Sequence, residues 1–370
     1  LFKATGTGGS SLDNWRITGC YFNLDQNKIS AVYVEEGGNW SFDHNTVKFN
    51  GDGDAAASAG SPFDMVRLDC KNTDYTPPPY DGAPCSVSYN AIFGSDNDSM
   101  NDTALNVYAA GGLLALGHGA VIANNIIQFA GGNGINVSQG SAAINANQVA
   151  DIGDYALAVY GGQTNVSGNV LQSTGSDATV YMDTSATGGQ NTFIIGNNFP
   201  VLGTGPAVHV RALAGATVSG IFVANNYAAN GIFFDAAGTC SGGANAGATC
   251  DVNGDCNSNS CTTYGQFNHD VIFNNVLSTG GARSGVEIEN PQGWITVSMN
   301  TDVSSSASTY RSIYFESLDS VLKGGISVVN NNMAPGGAGT RTCIAFDHTL
   351  GGALDVVNVI GNTCGGQDAA

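Results

Sequence analysis

The chain has 370 residues, of which 52 are Gly and only 11% are charged. Thirty acidic side chains against eleven basic ones leave a net charge of −19. That excess of acid makes nucleic acid and anionic membrane surfaces poor partners, and it repels uronate polymers unless cations intervene.

Gly, Asn, Ser and Thr beside 42% hydrophobic residues describe many short strands joined by tight turns. No apolar run reaches 18 residues, so no membrane-spanning helix is expected. The chain opens at Leu1 with no basic segment leading into an apolar one, the start expected of a processed or excerpted exported protein. Nine cysteines at short spacings point to an oxidising compartment, extracellular or at the cell surface. Five N-x-S/T sequons, at Asn39, Asn97, Asn101, Asn136 and Asn165, permit glycosylation there.

The first coil is expected around Thr18-Gly19-Cys20-Tyr21-Phe22, and from there one Asn per coil follows at Asn45, Asn90, Asn125, Asn147, Asn169, Asn198, Asn226, Asn275, Asn300, Asn332 and Asn362. The spacing is clearest in the middle, where Asn125, Asn147 and Asn169 are 22 residues apart, each within a phrase whose apolar residues recur in register. A fixed period of this size marks stacked supersecondary units. Equivalent amides one coil apart can hydrogen-bond along the stacking direction, and Asn tolerates left-handed turns. Cys20 stands 25 residues before Asn45, in the same slot, where a buried thiol is expected.

Long gaps between anchors locate insertions. Cys70 and Cys85 bracket a loop containing Pro77-Pro78-Pro79 that a disulfide would close. Cys240, Cys250, Cys256 and Cys261 lie in a segment with almost no apolar content, so two disulfides should staple it, in one of three pairings. Cys343 and Cys364 are placed to pair across neighbouring coils.

The repeats Val121–Val137, Ala143–Tyr160 and Val166–Met182 resemble the right-handed parallel β-helix of the pectate-lyase-like superfamily. The fold implied is all-β: a right-handed parallel β-helix (β-solenoid) of about eleven or twelve coils in one domain over residues 1–370, with insertions at 70–85 and 240–261. The resemblance is nearly silent about activity, because such folds host lyases, hydrolases and structural proteins alike.

Each coil has a strand after its Asn with period-two alternation. With the β-branched positions inward, each coil offers an outward pair from Tyr33/Glu35 onward. In the second half of the stripe, where carboxylates and aromatic rings interleave, these read Tyr181/Asp183, His209/Arg211, Phe233/Asp235, Glu287/Glu289, Tyr314/Glu316 and Ala345/Asp347. In relatives of this fold sugar chains commonly lie along such a face. Tyr181, Asp183, His209, Arg211, Asp235, Glu287, Glu289 and Tyr314 are therefore the carbohydrate-binding candidates. Asp235, Glu287 and Glu289 are the carboxylates that a glycosidase could use as acid and base.

A pectate-lyase-type reaction needs a proton acceptor and a cation for the substrate carboxylate. No Lys or Arg occurs between Lys71 and Arg211, which leaves His209 and Arg211 alone on the stripe. Asn72-Thr73-Asp74, Ser95-Asp96-Asn97-Asp98 and Gly117-His118-Gly119 are similar in order to polygalacturonase motifs, yet the acidic pair is split and the basic motif is missing. Asp251, Asn253 and Asp255 alternate like the start of a Ca²⁺ loop, so calcium is the one cofactor for which the sequence offers ligands. No capping helix is evident at either end of the repeat, and two unlike open ends join head to tail. The leading expectation is an extracellular structural protein that associates end to end with copies of itself. Glycan cleavage or glycan binding on the stripe is the alternative.

Overall fold

The computed structural model describes residues 2–5, 15–24, 30–37, 40–49, 63–70, 85–94, 102–108, 119–138, 141–161, 163–175, 178–183, 190–200, 203–242, 245–250, 256, 260–278, 284–305, 310–317, 321–334, 341–348 and 353–365. The structure is all-β among these residues, and no helix is long and apolar enough to cross a membrane. Two compact units divide the chain, Leu1–Val180 with Pro200–Gly205, and Tyr181–Phe199 with Pro206–Ala370.

In the first unit, strands Phe2–Thr5, Arg16–Thr18 and Tyr21–Leu24 open three separate sheets. Every third strand thereafter adds to the same sheet, always parallel, through six rounds ending at Leu157–Tyr160, Thr164–Ser167 and Val170–Ser173. Parallel strands joined by crossovers with both neighbours in register are consistent with a β-helix-like solenoid. The reason lies in the inward positions. Phe42, Val87, Ile122, Ile144 and Val166 are register partners in the second sheet, and Val47, Ile92, Ile127, Val149 and Leu171 in the third, all essentially without exposure. A β-branched or Leu side chain stacked on its own kind fills the interior without gaps.

The second unit repeats this plan over six further rounds. Its first sheet comprises Val180–Asp183, Val208–Ala212, Ile232–Ala236, Val286–Glu289, Tyr310–Ser317 and Arg341–His348. Inside it Val210, Phe234, Ile288, Phe315 and Phe346 are register partners, with the Phe315 and Phe346 rings stacked 5.2 Å apart.

The amide ladder exists in each unit. Nδ2 of Asn45 donates to Oδ1 of Asn90, and the pattern continues to Asn125, Asn147 and Asn169 at 2.9–3.1 Å. The second unit runs Asn197, Asn226, Asn275, Asn300, Asn331 and Asn362 at 2.8–3.0 Å. Two anchors thus differ from expectation: Asn197 and Asn331 fill the slots assigned to Asn198 and Asn332. The slot follows the left-handed residue of the turn, which is Gly196 at φ 66° and Asn330 at φ 55°. That left-handed position, not the ladder Asn itself, carries the strained conformation. Cys20 also departs from expectation. It takes the slot, its N–H donating to Asn45 Oδ1 at 2.9 Å, but its thiol is exposed because no described coil lies over it.

Four disulfides join Cys70–Cys85, Cys240–Cys256, Cys250–Cys261 and Cys343–Cys364. The insertion after Ala237 forms a small antiparallel sheet of Gly238–Cys240, Thr249–Cys250 and Cys261–Thr262, with its cysteines buried. Two bonds in place of an apolar core match the composition of this segment. The bonds fit an oxidising environment.

Candidate functional site

Alternation along the strands places the expected stripe on the outward side of the first sheet in the second unit. Pairing aligns His209 with Phe233 and Arg211 with Asp235, then Phe233 with Glu287. Glu287 aligns with Tyr314 and Glu289 with Glu316, and beyond them lie Ala345 and Asp347. The face is more crowded than an open polar surface. Tyr181, Asp235 and Tyr314 are buried, at 8%, 5% and 4% exposure.

The aromatic half comes first. Tyr181 meets His209 edge-on at 5.2 Å, and His209 stacks on Phe233 at 5.1 Å. The electrostatic centre follows. Asp235 Oδ2 lies 3.1 Å from His209 Nε2 and 3.4 Å from Arg211 Nε, so two cationic or polar groups hold one buried carboxylate. Asp183 lies half-buried at the end of its strand.

Glu289 is in the opposite situation. Burial, then the charges of Asp235, Glu287 and Glu316, push its carboxyl up to about 9, although the Ala236 N–H donating to Oε2 at 3.0 Å opposes this. Its proton is therefore kept near neutrality. One carboxylate oxygen each from Glu287, Glu289 and Glu316 lies within 4.8 Å of the others. An oxygen-only set of this kind suits a hard cation such as Ca²⁺. Tyr314 sits beneath Arg311, whose guanidinium is 4.0 Å from the ring centre, and burial and the Glu316 charge push its hydroxyl further up from its ordinary value.

Sequence reasoning did not single out Glu316 as a site residue, although the register column containing Glu289 signalled it. The Ca²⁺-loop candidates Asp251, Asn253 and Asp255 lie outside the described residues, as do Asn39, Asn97, Asn101, Asp74, Asp96, Asp98 and His118. Of the remaining sequons, Asn165 is exposed on the strand Thr164–Ser167, whereas Asn136 donates from Nδ2 to Ser138 Oγ at 3.1 Å.

The chain matches no family model, no curated protein and no solved structure.

Proposed function

We propose that the protein is a polysaccharide-active enzyme, a glycoside hydrolase whose substrate lies across the acidic face of the second unit. The supporting observation is the setting of Glu289, a carboxyl that keeps its proton near neutrality beside carboxylates within 4.8 Å. Glycoside hydrolysis requires this division between a proton donor and an ionised partner. In the proposed reaction Glu289 protonates the leaving oxygen while Glu287 attacks the anomeric carbon, giving a glycosyl-enzyme. Water then releases the sugar, with Glu289 taking up the water's proton. A carboxyl separation of about 5 Å corresponds to retention of anomeric configuration. Asp235 acts through Glu289 as a positioning residue, its buried charge holding the proton in place. Phe233, half-buried beyond the packed Tyr181–His209 pair, keeps part of its ring open to sugar, and the acidity of the face favours uncharged or amino sugars over uronates.

The finer architecture belongs to the same proposal. A right-handed parallel β-helix of pectate-lyase-like type fits the handedness that parallel crossovers adopt in about 98% of cases. An extracellular location fits four disulfides.

The test is reducing-end release from a panel of uncharged polysaccharides, followed by proton NMR of the first anomer formed. Glu289→Gln and Glu287→Gln should each lower turnover by roughly a thousandfold while substrate binding persists. A wild-type chain that releases no ends, or a Glu289→Gln variant with undiminished turnover, refutes the reading.

End-to-end association with a second copy is a second reading. The observation favouring it is the strand Ala353–Ile360, where Val356, Val359 and Ile360 are 53%, 47% and 57% exposed. A further coil from any source would cover this row. Light scattering over a concentration series tests it, with a constant monomer mass as the refuting result.

A further inference from the structure

The second sheet of the second unit presents a different chemistry. One register column of its outward positions runs Phe193, Phe222, Val271, Thr296 and Ser327, without an acidic or basic side chain. In a chain of net charge −19 this is an uncharged strip beside a highly acidic face. Phe193 is 41% exposed, and its ring lies 6.1 Å from that of Phe222.

Trp294 stands at the head of the strand Ile295–Ser298 and is 61% exposed. The strand is paired on both sides, by Asp270–Phe273 and Val321–Val329, so a missing neighbouring coil does not explain the exposure. The indole does not project freely. A Cβ on Gly325 would lie 2.2 Å from Cζ3 and 2.3 Å from Cε3 of Trp294, so its six-membered ring fills the space above that glycine. Gly324, at φ +103°, faces Gly293, where a Cβ would meet Gly293 Cα at 2.6 Å. Three glycines on two adjacent coils thus let the ring settle on backbone while the rest of it remains in water. The register shift between Leu322 and Gly325 falls at the same place.

We propose that Trp294 is a stacking platform for an uncharged polysaccharide, with the strip through Thr296 and Ser327 continuing the binding surface. A pyranose ring has one face of polarised C–H bonds, which packs against the electron-rich face of an indole. Its edge carries hydroxyls, and Thr296, Ser298 and Ser327 supply hydrogen-bonding groups at strand spacing from the platform. An indole seated in advance loses little freedom when ligand arrives. The absence of charge along the strip matches an uncharged chain and gives nothing to an anionic one. This proposal does not rest on the carboxylate chemistry of the first sheet.

The experiment is native affinity electrophoresis of the full chain in gels containing hydroxyethylcellulose, galactomannan or polygalacturonate, with tryptophan emission recorded in parallel. The two uncharged polymers should retard the wild type, polygalacturonate should not, and emission should shift to shorter wavelength. Trp294→Ala should weaken retardation at least tenfold and Trp294→Phe less. Gly325→Ala, which keeps the indole but displaces it, should weaken it severalfold with an unchanged circular dichroism spectrum. Retardation reads binding and not bond cleavage, so a failed hydrolase reading leaves this result standing. No retardation of the wild type by either uncharged polymer, or equal retardation of Trp294→Ala, overturns the proposal. So does a Trp294→Ala variant that changes oligomeric mass by light scattering without changing retardation, because the platform would then belong to a second copy.

Discussion

Ala236 donates its backbone N–H to Oε2 of Glu289 at 3.0 Å, across 53 residues of sequence. The preceding residue, Asp235, places its carboxylate against His209 and Arg211. One strand end thus gives Glu289 both a donor and a neighbouring negative charge. The charge and the burial prevail over the donor, which is why Glu289 holds its proton.

That balance makes stability fall with rising pH. Below about pH 4.5 Glu289 is protonated in the folded and unfolded states alike and contributes nothing. Between there and about 9 the unfolded chain ionises while the folded one does not, so folding loses stability through this window. Asp270, fully buried with Oδ1 accepting from Ile221 N at 2.8 Å, is raised by burial and acts in the same direction. Glu289→Gln and Asp270→Asn should each raise the melting temperature by ~3 °C near pH 8 and leave it unchanged near pH 4. Calorimetry at the two pH values decides this, and a gain that is equal at both would contradict it.

Arg211→Ala should be costly for the complementary reason. It leaves the buried Asp235 carboxylate with the His209 ring nitrogen, 3.1 Å away, as a remaining polar partner. The loss should be on the order of 2 kcal/mol, below that of a fully buried pair because Arg211 is itself a quarter exposed. Arg211→Ala in a chain already carrying Asp235→Asn should cost well under half as much. Equal costs in the two backgrounds would show that the pair contributes nothing.

The repeat and the outward stripe were legible because both rest on local periodicity. Inward β-branched residues alternate at period two, and pairing carries that alternation from coil to coil, so Glu287, Glu289 and Tyr314 fell on the expected face. The ladder slot was misread only where amides run together, at Asn197-Asn198 and Asn330-Asn331-Asn332. There the left-handed residue before the slot decides, and composition does not expose a backbone angle. The meeting of Ala236 with Glu289 was hidden by the disulfide-stapled insertion between them. Trp294 gave no signal by itself, because its seat is made by Gly324 and Gly325 one coil later. Cys20 shows the same limit: its slot was readable, but its exposure depended on what lies over the coil.

The ladder predicts a gradient of mutational cost. Asn125 is fully buried and donates to Val87 O at 3.0 Å and to Asn147 Oδ1, while its own Oδ1 accepts from the Asn90 backbone and side chain. Asn125→Ala strands several of these partners away from water and should cost about 3 kcal/mol. Asn362 makes the same kind of bonds but is partly exposed, so water can replace them and Asn362→Ala should cost less than about 1 kcal/mol. Urea denaturation of the two variants measures the difference. Equal costs would mean that the ladder records the repeat without stabilising it.

Asp235→Asn offers the sharpest test of the proposed chemistry, because Asp235 influences Glu289 without touching substrate. Removing its charge leaves burial as the main force on Glu289 and lowers the proton affinity of that carboxyl. If Glu289 is the proton donor, activity is lost on the alkaline side as it ionises. The alkaline limb of kcat/KM should then move to lower pH by about one unit in Asp235→Asn, with the acidic limb less affected. A carbon-13 NMR titration of the Glu289 carboxyl should show the same displacement without reference to turnover. A displaced titration with an unmoved limb would assign the donor to another residue, and an unmoved titration would show that Asp235 does not govern this proton at all.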